Sequence, residues 1–549
     1  MSSCRFLISL AAAALLAACV SIDDELGSSM VPVSSTYRTV TPAPSEIPVK
    51  QLMADSLSGF SSTRITIGAI RKDDEFGLTT RSSAVSIIPL FSKDTEMGTD
   101  RRFISMHFAV ALDSTSVENK AESGIMQNVG VYELSRRIDY AKDGDCNAAF
   151  PHGTTRVSDG VPVINGSDSL SFWFTEEYGS RYLDAVEYYK QGFDAYSEHY
   201  PGIYLETAAP IGQGGRINIF ELQLGYDSSY GITGNCVALR YSAVFDGVRK
   251  DTSAVFYLAA NAFYDLDSLA TKSGTGSFPQ YALNLTGHET APKAGPAAAE
   301  ILVEGGGGLK PVVSAADIRK AIIDTIDARE GAGAHKRAII NRATLNFHYV
   351  NDFAGDGDYA LLYKLPEILS PTCRIRSGSS AVSFMGLTDS SSSEENQGNR
   401  DLSLRSFNPD ITYHAQELIG READDESLLA GSYDIWLLIM HNDLVTTTSN
   451  GNSDLSDYYQ YLAYQSYMSN MYSGYGYGGY GYGGYSSYGY SNYYNYAMLA
   501  QMYGQSSTST SSQTSLDRDR YYWCRLYGPT CATVALRPTL TFTYSIPKG

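Results

Sequence analysis

Long apolar runs are missing from this sequence beyond its first 18 residues. No later stretch approaches the roughly 18 consecutive apolar residues that a membrane-spanning helix requires; the nearest are short runs such as Ile435-Trp436-Leu437-Leu438-Ile439-Met440. Catalytic signatures are missing too. There is no HExxH helix, no GxSxG elbow, no Walker loop and no dinucleotide fingerprint within a βαβ unit. The eight histidines (His107, His152, His199, His288, His335, His348, His414 and His441) are scattered, and none stands at metal-ligand spacing from another. No CxxC pair accompanies them, so neither a zinc site nor a cofactor is expected. Basic residues are scarce, 41 against 60 acidic ones, for a net charge of −19. Phosphate binding needs clustered Lys and Arg, so a nucleic-acid partner is excluded.

What is present supports a folded body. Hydrophobic residues make up 43% of the 549 and charged residues 18%, enough apolar material and too little charge for a disordered chain. The length suggests two or three units.

The N-terminus carries an address. Phe6 to Ala18 follows Arg5 as an apolar stretch of signal-peptide length, too short to span a bilayer. It ends in Leu16-Ala17-Ala18-Cys19, which resembles the lipobox of bacterial lipoproteins. That resemblance implies acylation of Cys19, removal of residues 1–18 and attachment to a membrane through lipid. Behind it, Val20-Ser21-Ile22-Asp23-Asp24-Glu25 is similar to the acidic surface-export signal of Bacteroidota lipoproteins, implying an outer-membrane location facing the exterior. A solvated acidic linker is the alternative.

Five cysteines remain: Cys146, Cys236, Cys373, Cys524 and Cys531. An exported chain can oxidise them. Cys524 and Cys531 enclose a Gly528-Pro529 turn, so a local disulfide between them is expected.

Residues 19–59 read as an acidic and Ser/Thr/Pro linker. Beyond it, short alternating segments such as Arg64–Ile70, Phe103–Val110, Ile217–Leu224 and Val237–Phe245 recur between Gly, Asp, Asn and Ser. This texture predicts a mainly β chain of two antiparallel, jelly-roll-like β-sandwich domains, at 60–290 and 297–549, with a few short helices. One helix is expected over about 176–199, where Tyr178, Tyr182, Val186, Tyr189, Phe193 and Tyr196 recur at helical period, as a core stripe. A second begins at Ser314, three residues before Asp317, with Ile318, Ala321, Ile322 and Ile326 on one face. Gly305-Gly306-Gly307-Gly308 lacks the Lys-Ser/Thr of a phosphate loop and reads as a turn.

A Tyr/Gly-rich insertion is expected over about 446–518. Residues 458–516 contain no charged side chain, and 458–503 hold 17 of the 42 tyrosines. Such Gly spacing cannot specify a packed core. Tyrosine pairs an apolar face with a hydroxyl, which suits sugars, partner surfaces or self-association. Asp143-Gly144-Asp145 and Asp356-Gly357-Asp358 offer oxygen ligands to Ca²⁺, but a turn role explains Asp-Gly equally well. Two carboxylates for glycoside hydrolysis cannot be chosen from sequence, since their separation is set in three dimensions.

The order of several short motifs is informative. Asp24-Glu25-Leu26-Gly27, Gly68-Ala69-Ile70, Asp74-Glu75-Phe76-Gly77, Val131-Tyr132-Glu133-Leu134, Tyr200-Pro201-Gly202-Ile203, Ile340-Asn341-Arg342-Ala343 and Leu536-Arg537-Pro538-Thr539-Leu540 follow one another along the chain. Together they resemble the Bacteroidota outer-membrane lipoproteins grouped as domain-of-unknown-function family 4270. That family has no assigned catalytic residues, so the resemblance implies a lipid-anchored, non-enzymatic protein with a binding or envelope-structural role. Two other readings stay open: a glycan-binding or glycan-hydrolysing surface lipoprotein, and an adhesin or assembly factor acting through the Tyr/Gly segment on an envelope protein.

Overall fold

The computed structural model describes residues 36–548 apart from 55–56, 62, 91–94, 118–119, 168, 223, 228–230, 264–279, 351–363, 378–380, 388, 390–397 and 448–508. Strands account for 47% and helices for 17% of the described residues, and the strands pair antiparallel in several sheets, which is the β-sandwich class.

In the first half, one sheet runs Gln127–Leu134, Ile203–Thr207, Leu78–Val85, Arg64–Arg71, Gly214–Glu221 and Leu112–Val117 in spatial order. A second runs Leu170–Trp173, Thr99–Val110, Cys236–Phe245, Val248–Leu258 and Ile87–Pro89. Alternation builds the core between them. Ile65, Ile67, Val129, Val131, Ile203 and Leu205 from one sheet meet Met106, Phe108, Val237, Leu239 and Phe256 from the other. The hairpin Cys236–Phe245/Val248–Leu258 turns on Asp246 and Gly247, both at positive φ (52° and 79°), the two-residue turn that Asp-Gly favours.

The continuous helix expected over 176–199 is broken. It becomes Glu176–Ser180, a 3-10 turn Arg181–Asp184, Ala185–Tyr189 and Phe193–His199. Gly192 sits at φ 106°, ψ 167°, a conformation that ends the preceding turn. The aromatic stripe is nevertheless core: Tyr182, Tyr196 and Tyr200 are buried, and the Tyr196 hydroxyl donates to Ile87 O at 2.9 Å.

The second half pairs Tyr37–Val40, Thr539–Pro547, Ile339–His348, Ser406–Phe407 and Arg400–Asp401 in one sheet. Gly295–Pro296, Lys50–Met53, Leu309–Val313, Ile435–Thr447, Ile368–Ser377 and Ala381–Gly386 form the other. Leu345, Phe347, Leu540, Phe542 and Tyr544 share a core with Val313, Ile435, Leu437 and Ile439. Two helices close this core. Ala315–Glu330 contributes Ile318, Ile322 and Ile326, with Ser314 Oγ accepting from Asp317 N, and Thr412–Gly420 contributes Ala415 and Leu418.

The linker expected over 19–59 is corrected from residue 36 onward. Tyr37–Val40 pairs with Thr539–Pro547, Ser45–Glu46 pairs with Leu540 and Thr539, and Lys50–Met53 inserts between Gly295–Pro296 and Leu309–Val313. Val40, Ile47 and Val49 are buried in the second core, which fixes these short strands. The Pro-rich text between them carries the chain from one sheet to the other.

The outer face of the first half's larger sheet is covered by the second half. Ile70, Phe76, Ile217 and Ile219 pack on Leu302, Leu309, Tyr521 and Trp523, while Ala54, Leu57 and Cys146 pack on Val312, Trp436 and Leu438. That contact is the seam. No helix among the described residues is long and apolar enough to cross a membrane.

Candidate functional site

The seam encloses an ionic cluster assembled from strands far apart in sequence. Arg81, on Leu78–Val85, is 1% exposed; Glu304 and Lys310 are each 2% exposed and flank the glycine turn; Asp517 and Asp519 follow the strand Ser509–Leu516. Charges this deep persist only when paired or hydrogen-bonded.

Lys310 is held by backbone. Its ammonium donates to Glu304 O, to Gly306 O at 2.9 Å and to Gly308 O at 3.1 Å. The glycine tetrad therefore turns its carbonyls toward a cation rather than its amides toward a phosphate. Gly306 lies at φ 57°, and a Cβ there would stand 2.8 Å from Arg81 Nη2, so the turn needs glycine for both conformation and space. Burial pushes the Lys310 amine down to about 8.

Glu304 is fully occupied. Its Oε1 accepts from His288 Nδ1 at 3.1 Å, and its Oε2 accepts from the Thr290 hydroxyl and from Leu309 N at 3.3 Å. Burial opposes ionisation, but the electrostatic attraction of His288 together with these hydrogen bonds outweighs it and holds the carboxyl below its ordinary range. Burial pushes the His288 imidazole down, against the raising pull of the Glu304 carboxylate beside it.

Asp517 and Asp519 are held less fully. Burial pushes the Asp517 carboxyl up to about 7, and its Oδ2 has no hydrogen-bond partner among the described residues. Oδ1 accepts from Arg520 N at 3.3 Å. Asp519 faces Arg64 at 3.7 Å, and Arg518 donates to Phe60 O at 3.1 Å, so this turn grips the first half. Arg81 donates from Nη1 to Thr80 O, while its Nε and Nη2 have no hydrogen-bond partner among the described residues. The cluster is closed to substrate, and its chemistry is that of an ionic lock between the halves.

The same turn is the root of a ribbon. Ile435–Thr447 pairs with Ile368–Ser377 only as far as Met440, then continues against Ser509–Leu516 from Met440↔Leu516 to Thr447↔Ser509. The expected insertion over 446–518 is therefore shortened at both ends, because 446–447 and 509–516 lie in this ladder. The remaining residues, 448–508, lie outside the described ones. The Tyr522 hydroxyl, 2.6 Å from His441 Nδ1, braces the ribbon where it leaves the sheet.

A separate groove of about 560 Å³ lies along Arg342, Thr344, Asn399, Arg400, Asp401, Asn408 and Asp410. Its described lining contains no aromatic ring. Asp401 Oδ1 accepts from Ser403 N and Leu404 N, and Asp410 Oδ1 accepts from Thr412 N and its hydroxyl, so both carboxylates already serve local turns. This is a poor arrangement for acid–base work on a glycoside.

Of the residues singled out from sequence, Cys19 and Asp356–Asp358 lie outside the described residues. The expected Cys524–Cys531 disulfide is absent: both are free thiols. Cys524 alternates with Tyr522 and Leu526 into the second core, whereas Cys531 sits in the turn with its N–H on Gly528 O. Asp143 is paired with Arg136 at 2.6 and 2.7 Å, and Asp145 Oδ1 accepts from Asn147 N, which is turn geometry. No group of three or more His, Cys, Asp or Glu among the described residues could hold a metal ion. Sequence reasoning missed Arg81, Glu304, His288, Lys310 and Asp517. The one legible mark was Asp517-Arg518-Asp519-Arg520, an abrupt charge run ending a charge-free stretch.

Comparison with protein-family models, with curated proteins and with solved structures finds no match for this chain.

Proposed function

We propose that this chain is a surface-tethered outer-membrane lipoprotein with a non-enzymatic binding or envelope-structural role, acylated on Cys19. The resemblance to domain-of-unknown-function family 4270 and the lipobox support the tether. The observation that carries the binding role is the ladder ending at Thr447↔Ser509, which sets the two residues flanking 448–508 opposite each other at the end of a paired ribbon. A Tyr/Gly-rich segment presented this way suits capture of an envelope protein or a glycan, and the ionic lock at its root ties the ribbon to both halves of the body.

Affinity purification of the native lipoprotein from membranes, beside a variant lacking 448–508, tests this. Partners retained by the full chain and lost from the variant are expected. Identical partner sets from the two proteins would remove the Tyr/Gly segment from the account.

A further inference from the structure

One end of the first sandwich carries a cluster of exposed aliphatic side chains that the tether and the ribbon do not explain. Ile125 (56% exposed), Met126 (59%), Val161, Val163 and Ile211 stand on three neighbouring stretches. Register places them together. Gln127 lies opposite Ile164 and Asn128 opposite Val163; Val129 N donates to Pro162 O at 2.8 Å, and Val129 lies opposite Thr207, where the third stretch begins.

Those stretches, 123–128, 160–167 and 208–215, hold no charged side chain, in a chain that is 18% charged. They are also held in shape from beneath. Arg216, 1% exposed, donates from Nη1 to Ser123 O at 2.9 Å and Ile125 O at 2.6 Å, and from Nη2 to Ile164 O at 3.2 Å. Glu122 Oε2 accepts from Gly215 N at 2.6 Å and draws in the third stretch. The guanidinium spends its Nη1 and Nη2 donors on loop carbonyls, so the aliphatic tips are fixed outward without a charge among them.

We propose that these three loop tips rest in the headgroup–acyl boundary of the lipid surface to which the chain is tethered, setting the orientation of the body on the membrane. This rests on the lipoprotein reading. Val20 to Thr36 gives 17 residues of tether, up to about 60 Å when extended, against a radius of gyration of roughly 25 Å for a body of this size. The end of the sandwich is therefore within reach. Aliphatic tips on separate loops, rather than a flat apolar face, suit insertion among lipids. A net charge of −19 with uncharged tips favours zwitterionic over anionic headgroups.

The test uses the mature chain without its first residue, Cys19 (residues 20–549), held on zwitterionic vesicles through an N-terminal His tag and a nickel-chelating lipid. Binding then does not depend on Cys19. In a Trp173→Phe background, where Trp436 and Trp523 are buried, Ile211→Trp places a fluorophore on the third tip. Brominated acyl chains should quench its added emission at least twofold, and adding Met126→Asp should reverse most of that. Emission insensitive to brominated lipid would overturn the proposal. So would light scattering showing a dimer that Met126→Asp dissociates, which assigns the tips to a second copy. Failed palmitate labelling of Cys19 with quenching intact would instead sink only the tether.

Discussion

Thr447 lies directly opposite Ser509, the last pair of a ladder that begins at Met440↔Leu516. Closing the chain there with a two-residue Asn-Gly turn in place of 448–508 should leave the fold intact. Loop-closure entropy predicts a gain of about 3 kcal/mol from removing so long a connection. Urea unfolding of the two proteins checks this; a loss of several kcal/mol would mean that the segment packs on the body.

Asp517 makes stability depend on pH with a definite sign. Its buried carboxyl is raised to about 7 from an ordinary 3.8, so folding takes up a proton between those values. Its contribution is fully present below about 4 and is lost as pH rises through 7. Asp517→Asn should therefore gain on wild type between pH 4 and pH 8 by on the order of 4 kcal/mol. Thermal unfolding across that range reads the difference. A pH-independent difference would mean that Asp517 is solvated.

Lys310→Met removes a cation and leaves the carbonyls of Glu304, Gly306 and Gly308 without their buried donor. The expected cost is on the order of 3 kcal/mol. Gly306→Ala should also destabilise, since a Cβ there meets Arg81 Nη2 at 2.8 Å at a positive φ. Denaturant midpoints check both, and unaltered midpoints would contradict the lock.

The thiols of Cys524 and Cys531 are free and buried. Native protein should therefore resist thiol reagents at both positions, and non-reducing peptide maps should contain no peptide linking them. A linked peptide would show that the strand–turn geometry around Gly528 differs from that described.

Legibility from sequence followed the physics of each feature. Thr539–Pro547 alternates without error, with Leu540, Phe542, Tyr544 and Ile546 inward, because one face is buried and one solvated. The strands at 37–53 were hidden because each is four residues or fewer and their text is Pro- and Thr-rich; only partners roughly 250 to 500 residues away reveal them. The helix over 176–199 showed its stripe but not its break, since the aromatic period continues across Gly192. The ionic lock left almost no trace. Arg81, His288, Glu304, Lys310 and Asp517 come from separate segments, and their burial results from one sandwich covering another.

Mass spectrometry of the N-terminal peptide of the native membrane-extracted protein tests the account most directly. A peptide beginning at Cys19 and carrying acyl chains is the predicted result. A peptide that retains residues before Cys19, or that begins there with an unmodified thiol, would contradict the tether on which the functional reading stands.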